Sequence, residues 1–356
     1  MPAELGAGAV YLHPRGLLWG AAARGAAQSG AGGLIAGGTT GFTACEIVAR
    51  EGDAVRRSWM SYEALRAPRD RGLAERLALI EAPRPAIAGL DFARPCIMGV
   101  VNVTPDSFSD GGQNPDPASA IAHGRMLAAE GAHVLDVGGE STRPYAEPLA
   151  LPEERARALP VVAALAGDGH LVSIDTRKSA MMREAVAAGA RIVNDVSALT
   201  HDPGSLAAIR DLQVPVVLMH AKGEPQTMQV DPRYDDVVLD VFDVLAARIA
   251  ACEAAGIGRD RIIADPGIGF GKTAEHNLAL LGGLAILHGL GVPLLVGASR
   301  KGFIGRLTGE TVAANRVAGS LGAAVAIVMQ GVQMLRVHDV AATRQALAVW
   351  GAAVQA

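Results

Sequence analysis

From Pro95 onward the chain repeats one alternation of hydrophobic and polar positions. A short, nearly unbroken apolar run is followed by a longer Ala-rich stretch in which apolar residues recur at helical spacing. Eight such runs can be read: "CIMGVVNVT", "AHVLDVGGEST", "HLVSIDT", "RIVNDVSA", "VPVVLMHA", "RIIADPGIGF", "PLLVGASRK" and "QMLRVHDV". Between them lie "DPASAIAHGRMLAAEGA", "PEERARALPVVAALA", "KSAMMREAVAAGA", "YDDVVLDVFDVLAARIAACEAAG" and "AANRVAGSLGAAVAIVMQG". Runs that are apolar on both faces read as strands covered on both sides, the character of a parallel sheet. Eight βα units in succession predict an α/β fold, a (β/α)8 TIM barrel over residues 91–356.

A doubly wound open sheet also repeats βα units, but it usually carries a Gly-rich nucleotide loop after its first strand, and none follows "CIMGVV". The fragment "GIGFGK" lacks P-loop spacing before Lys272-Thr273, so a Walker reading fails. Two uncharged stretches, Leu278 to Ser299 and Val317 to Leu335, are long enough to cross a bilayer. His288 and Pro293 interrupt the first, Ser320 and Gln330 the second. A buried helix running into a buried strand explains both better than a membrane span.

Residues 1–90 depart from this rhythm. "AAARGAAQSGAGGLIAGGTTGFTACE" is Gly/Ala-rich with little period, and "EALRAPRDRGLAERLALIEAPRPA" is a charged, helix-like piece closed by Pro83 and Pro85. Trp19, Phe42 and Trp59 favour packing for part of it. A partly disordered extension and a small ordered appendage both fit this composition. No charged n-region leads into a clean apolar h-region, so no signal peptide is expected.

Composition narrows the chemistry. Among 356 residues half are hydrophobic but only 4% aromatic, so the core must be built from Ala, Val, Leu and Ile. The formal net charge of −4 leaves no basic footprint for nucleic acid. Cys45, Cys96 and Cys252 are far apart and odd in number, which suits reduced thiols in a cytoplasmic protein, not a disulfide framework or a zinc site.

In each of the eight runs the polar residues cluster at the C-terminal end. They are Asn102; Glu140 through Arg143; Asp175; Asn194-Asp195; His220; Asp265; Ser299-Arg300-Lys301; and Arg336 with His338. Barrel active sites are built at that rim. Asp175, Asn194 and Asp265 place short polar groups in an apolar mouth, where carboxylates need partners. A ligand edge with several coplanar N–H donors meets that need. Arg143, Arg300, Lys301, Arg336 and His338 form a cationic set suited to a diphosphate, and these cations outnumber what the nearby carboxylates require. Asn102 and Asp110 are oxygen ligands of the kind Mg2+ takes beside phosphate and water.

Taken together, "MGVVNVTPDSFSDGG", "DVGGESTRPYA", "SIDTRK", "IVNDVSA", "VLMHAKGEPQTMQ", "IIADPGIGFGKTAEHN", "GASRKGFIG" and "LRVHDV" resemble dihydropteroate synthase, in the family's order from Arg94 to Ala342. The resemblance implies a pterin-binding (β/α)8 barrel that joins 4-aminobenzoate to 6-hydroxymethyl-7,8-dihydropterin diphosphate with Mg2+ as cofactor, giving dihydropteroate and pyrophosphate. It implies that Asn102 holds the metal and diphosphate, with Asp110 on a mobile loop closing over them. Thr142 and Arg143 would lie between diphosphate and aminobenzoate, with Pro144 flanking the latter. Asp175, Asn194 and Asp265 would hold the pterin edge and Lys301 its ring. Ser299, Arg300 and Phe270 would line the aminobenzoate side, and Arg336 and His338 would grip the leaving diphosphate. It further implies a cytoplasmic homodimer and competition by sulfonamides. Ala221 and Lys222 stand where the family often has Met and Arg, and the first ninety residues fall outside the match.

Two rivals make different demands. A methyltransferase acting on methyltetrahydrofolate would share the Asp/Asn set but has no use for a diphosphate grip. A non-catalytic paralogue should have lost some of Asn102, Arg143, Asp265, Lys301 or Arg336, and this chain keeps them all.

Overall fold

The computed structural model describes residues 9–52, 54–67, 70–103, 116–141, 143 and 146–355. Asp110, Thr142, Pro144 and most of the "SDGGQNPDP" loop lie outside the described residues.

The N-terminal part is ordered. Strands β1 (Ala9–Trp19), β3 (Thr40–Glu51) and β4 (Ala54–Ser61) pair antiparallel around β3, with the two-residue β2 (Gly33–Leu34) at one end. Helix α1 (Gly20–Ser29) follows β1, and α2 (Tyr62–Arg66) and α3 (Arg71–Glu81) follow β4. The Gly/Ala-rich stretch has little period because closeness, not an apolar stripe, is what it supplies: a Cβ on Gly41 of β3 would lie 2.9 Å from Ala23 Cβ on α1. The charged piece is two helices, and Asp70 starts the second by accepting from Gly72 N at 2.8 Å. Leu12, Ile35, Phe42, Cys45, Ile47, Leu65, Leu77 and Ile80 form this unit's own core.

The other eight strands form the barrel. They are β5 (Cys96–Asn102), β6 (Val134–Gly138), β7 (Val172–Asp175), β8 (Ile192–Asp195), β9 (Val216–Met219), β10 (Ile262–Asp265), β11 (Leu295–Val296) and β12 (Met334–Val337). All pair in parallel in the order β10-β9-β8-β7-β6-β5-β12-β11, and a bridge from Ala264 to Leu294 closes the ring. Each expected run contains one of these strands. Around them lie α4 (Pro117–Glu130), α5 (Leu151–Gly167), α6 (Ser179–Ala187), α7 (Ser205–Leu212), α8 (Val237–Ala254), α9 (Ala274–Gly282), α10 (Gly302–Thr308), α11 (Val317–Val328) and α12 (Val340–Gln355). The first long uncharged stretch holds the end of α9 and β11, and the second holds α11 and the start of β12. Among the described residues no helix is long and apolar enough to cross a membrane.

The segment between α3 and β5 plugs the barrel floor, where Ile87 and Leu90 pack with Cys96, Val134, Ile192, Val217, Ile263 and Leu295 at the strand starts. The N-terminal sheet leans on α8: Tyr11 packs edge-on against Phe242 with ring centres 5.2 Å apart, and its hydroxyl donates to Asp243 at 2.7 Å. Arg50 pairs with Asp240 at 2.7 Å and Arg57 with Asp236 at 2.8 Å. With the floor plugged, the open end of the barrel is the rim where the strands finish.

Candidate active site

Strand register sets the first tier of the site. Asn102 pairs with Gly138, Gly138 with Asp175, and Asp175 with Asn194, so the ends of β5 to β8 stand at one level. Below them sits a carboxylate that the strand-end pattern does not pick out. Arg336 of β12 donates through Nε to Asp136 Oδ2 at 2.6 Å and through Nη2 to Asp175 Oδ2 at 2.9 Å. Asn194 Nδ2 donates to the same Asp136 oxygen at 3.0 Å. Asp136 lies in the middle of β6, not at its end, in a strand buried along its whole length. That was the available signal: a lone carboxylate in a buried apolar run must have donors waiting for it. Its Oδ1 and the neighbouring Ser173 Oγ have no hydrogen-bond partner within the described chain.

The charge balance follows. Burial pushes the Asp175 carboxyl up to about 8, against the pull of Arg336 and with help from Asp136. Two carboxylates face one guanidinium, and a proton on Asp175 relieves the surplus. Burial works against the Arg336 charge, but Asp136 and Asp175 outweigh it and hold its pKa above the ordinary value. Asp265 is also raised by burial, opposed by Lys301 and by the bond from Gly267 N at 2.7 Å.

Across the mouth, Lys301 Nζ donates to Ile268 O and lies 4.6 Å from the centre of the Phe270 ring. Burial draws Lys301 down to about 8, with Asp265 resisting. Ser299 Oγ accepts from His338 N at 3.2 Å and lies 3.1 Å from His338 Nδ1. Arg300 holds Asp339 through Nε at 3.0 Å and through Nη2. Its φ is +59°, and Ser320 Oγ accepts its N–H at 2.9 Å.

These contacts correct the expected surplus of cations. Arg336 and Arg300 are both paired with carboxylates, Asp136 and Asp339, which the sequence count left out. Burial, reinforced by Arg336 and Arg300, pushes His338 down to about 3, so it is a neutral imidazole near neutrality. Arg143 is described and exposed beside the rim, and Asn102 is half-buried at the end of β5.

Two further groups brace the rim. Glu140 accepts from Lys178 Nζ at 2.6 Å, Arg177 Nη2 at 3.1 Å and Leu149 N at 3.2 Å, while Arg177 also reaches Glu224 at 2.9 Å. Three strand-end segments are laced together in this way. Asp195 accepts from Ser197 N at 2.7 Å and Leu199 N at 3.1 Å, which folds the turn after β8.

Comparison with known proteins agrees with this geometry. A family described as pterin binding enzymes matches residues 98–338. A dihydropteroate synthase of Neisseria meningitidis serogroup B is 50% identical over 269 residues, which is 74% of this chain and 94% of that one. The structure of Xanthomonas albilineans dihydropteroate synthase with 4-aminobenzoic acid superposes with a TM-score of 0.72 at 51% identity, covering 76% of this chain and 98% of its own. The same synthase in complex with 7,8-dihydropteroate gives a TM-score of 0.69 at 49% identity, with the same coverage of 76% and 98%.

Proposed function

We infer that this chain, which belongs to the dihydropteroate synthase family of pterin-binding enzymes, joins 4-aminobenzoate to 6-hydroxymethyl-7,8-dihydropterin diphosphate. The products are dihydropteroate and pyrophosphate. One observation carries the reading: Asp136, Asp175, Asn194 and Arg336 converge from four strands on one barrel mouth, with an acceptor oxygen left over. Such a set answers the coplanar N–H donors of a pterin edge and has little use for a simple anion.

The chemistry that these residues can support is an alkyl transfer. The bond between the pterin methylene carbon and the diphosphate oxygen breaks, and the leaving group takes the electron pair. Positive charge spreads into the pterin ring, where Asp175 and Asp265 stabilise it and Asn194 fixes the ring's orientation. The aminobenzoate nitrogen then attacks the methylene carbon, held near Phe270, Ser299 and Arg300 so that its encounter is effectively unimolecular. The adduct loses its proton readily, so no dedicated base is required.

Mg2+ would be held by Asn102 together with diphosphate oxygens and water. Mg2+ binds with few protein ligands because it keeps several of its waters beside phosphate oxygens. When bound, it would supply positive charge against the leaving diphosphate. A homodimer through α11 fits the apolar surface there, where Ala318, Gly322 and Ala326 are exposed and Leu307 and Val312 nearby are 61% and 53% exposed. A cytoplasmic setting suits three buried, unpaired cysteines.

The test is pyrophosphate release by the purified chain with Mg2+, the pterin diphosphate and 4-aminobenzoate, omitting each in turn. Release that needs all three supports the reading. Binding of the pterin diphosphate without turnover would reassign the chain to a non-catalytic role.

A further inference from the structure

The turn that follows β10 is held in an unusual way. From Gly267 to Thr273 every backbone carbonyl accepts from a side chain. Lys301 takes Ile268 O, Gln229 takes Gly269 O at 2.8 Å, Tyr234 takes Gly271 O at 2.8 Å, and Asn277 takes Thr273 O at 2.7 Å. Of the remaining three carbonyls, Lys272 O accepts from Asn277 at 3.5 Å, and Gly267 O and Phe270 O both accept from Lys272 Nζ at 3.0 Å. Alternate residues are left-handed, with φ of +66°, +87° and +63° at Gly267, Gly269 and Gly271. The turn is pressed onto the segment after β9: a Cβ on Gly267 would lie 1.9 Å from His220 O. No ladder of a helix or sheet specifies such a conformation, so the side chains at its centre must.

Lys272 is that centre. It is 2% exposed, and Nζ also contacts His220 Nδ1 at 2.8 Å. Nζ thus reaches Gly267 O, Phe270 O and His220 Nδ1, with His220 O at 3.4 Å, and burial draws its pKa well below the ordinary lysine value against the pull of Asp265. Burial, reinforced by Lys272, pushes His220 down to about 3, so it is a neutral imidazole near neutrality. Neither residue lies in the set assigned to substrate. What they hold does: this turn carries Phe270, supplies the carbonyl that seats Lys301, and donates Gly267 N to Asp265.

We propose that Lys272 and His220 are a positioning pair for the site, with Lys272 shaping the turn that presents Phe270 on the aminobenzoate side and seats Lys301 and Asp265 on the pterin side. The proposal rests on the dihydropteroate synthase reading and extends it to two buried residues that the reaction does not touch. Misplacement of a reacting partner by about 1 Å costs on the order of 100-fold in rate, so the effect should be large.

The experiment measures KM for each substrate separately, with a melting curve for every variant. Lys272→Met should raise KM for both 4-aminobenzoate and the pterin diphosphate, on the order of 10-fold to 100-fold. His220→Leu should move both KM values in the same direction. His220→Asn, whose amide oxygen can replace Nδ1 as acceptor, should recover most of that loss. If Lys272→Met does not fold, the Leu and Asn variants at position 220 carry the test alone. Unchanged KM values, or equal behaviour of His220→Leu and His220→Asn, would overturn the proposal. An unsubstituted chain that releases no pyrophosphate would instead reject the underlying reading.

Discussion

Asp136 shows how one residue can set the chemistry of several others. Its Oδ2 receives both Asn194 and Arg336, so the amide at the end of β8 and the guanidinium of β12 share a single anchor. Losing a hydrogen bond to a charged group costs about 1.5–3 kcal/mol, which corresponds to about 10-fold to 100-fold in an equilibrium constant. Asp136→Ala is therefore expected to weaken binding of the pterin diphosphate by about 10-fold to 100-fold, read by direct titration. Unchanged affinity would show that Arg336 and Asn194 are oriented without it.

Asp175 makes a prediction about protons. Its pKa in the folded protein is raised to about 8 by burial, above the ordinary carboxylate value of about 3.9. A group raised in this way contributes stability that is complete below the ordinary value and is lost as pH rises through about 8. A ligand whose N–H groups donate to the carboxylate favours the ionised form and should expel the proton. Binding of a pterin analogue at pH 7 should release up to about one proton per site, declining above about pH 9. Calorimetry in two buffers of different ionisation enthalpy reads this directly, and identical heats in both would refute it.

At the scale of elements, the strands were the most legible part of the chain. A buried parallel strand needs an apolar run and its partner helix needs a stripe, and both are local properties of the sequence. The same reasoning could not find what α11 faces. Val317 to Val328 is apolar around much of its circumference, and the structure buries only Ser320, Ala324, Ile327 and Val328. Gly322 is exposed, and a Cβ there would meet nothing within 4 Å. Gly322→Arg should leave the barrel intact yet disrupt an assembly through this face. Light scattering should then report half the mass of the unsubstituted protein at an unchanged melting temperature. A mass unaffected by the substitution would place any dimer contact elsewhere.

The whole molecule joins a barrel to an N-terminal sheet that the matched family region, residues 98–338, does not include. The two are one packing unit where they meet: Tyr11 and Val48 belong to the barrel's hydrophobic cluster. Tyr11 also donates to both oxygens of Asp243, at 2.7 Å and 2.8 Å. Tyr11→Phe keeps the ring and removes this bond, so a loss of about 1–2 kcal/mol is expected in urea unfolding, with catalysis preserved. A stability change below about 0.5 kcal/mol would mean that the ring alone docks the sheet.

By itself the sequence determined the alternation of eight strands with helices and the rim at which their polar residues gather. Both follow from the spacing of neighbouring residues, which a linear chain displays. The composition of residues 1–90 left order and disorder both open, because an antiparallel sheet forms from pairings such as Val10 with Ala49 that no local period encodes. Only the tertiary structure decided which charges meet. Arg336 finds Asp136 from 200 residues away and Asp175 from 161, and those pairings turn an expected surplus of cations into a balanced network. They depend on strand register and on closure of the ring, which place distant residues on one level, and no periodicity along the chain records that placement.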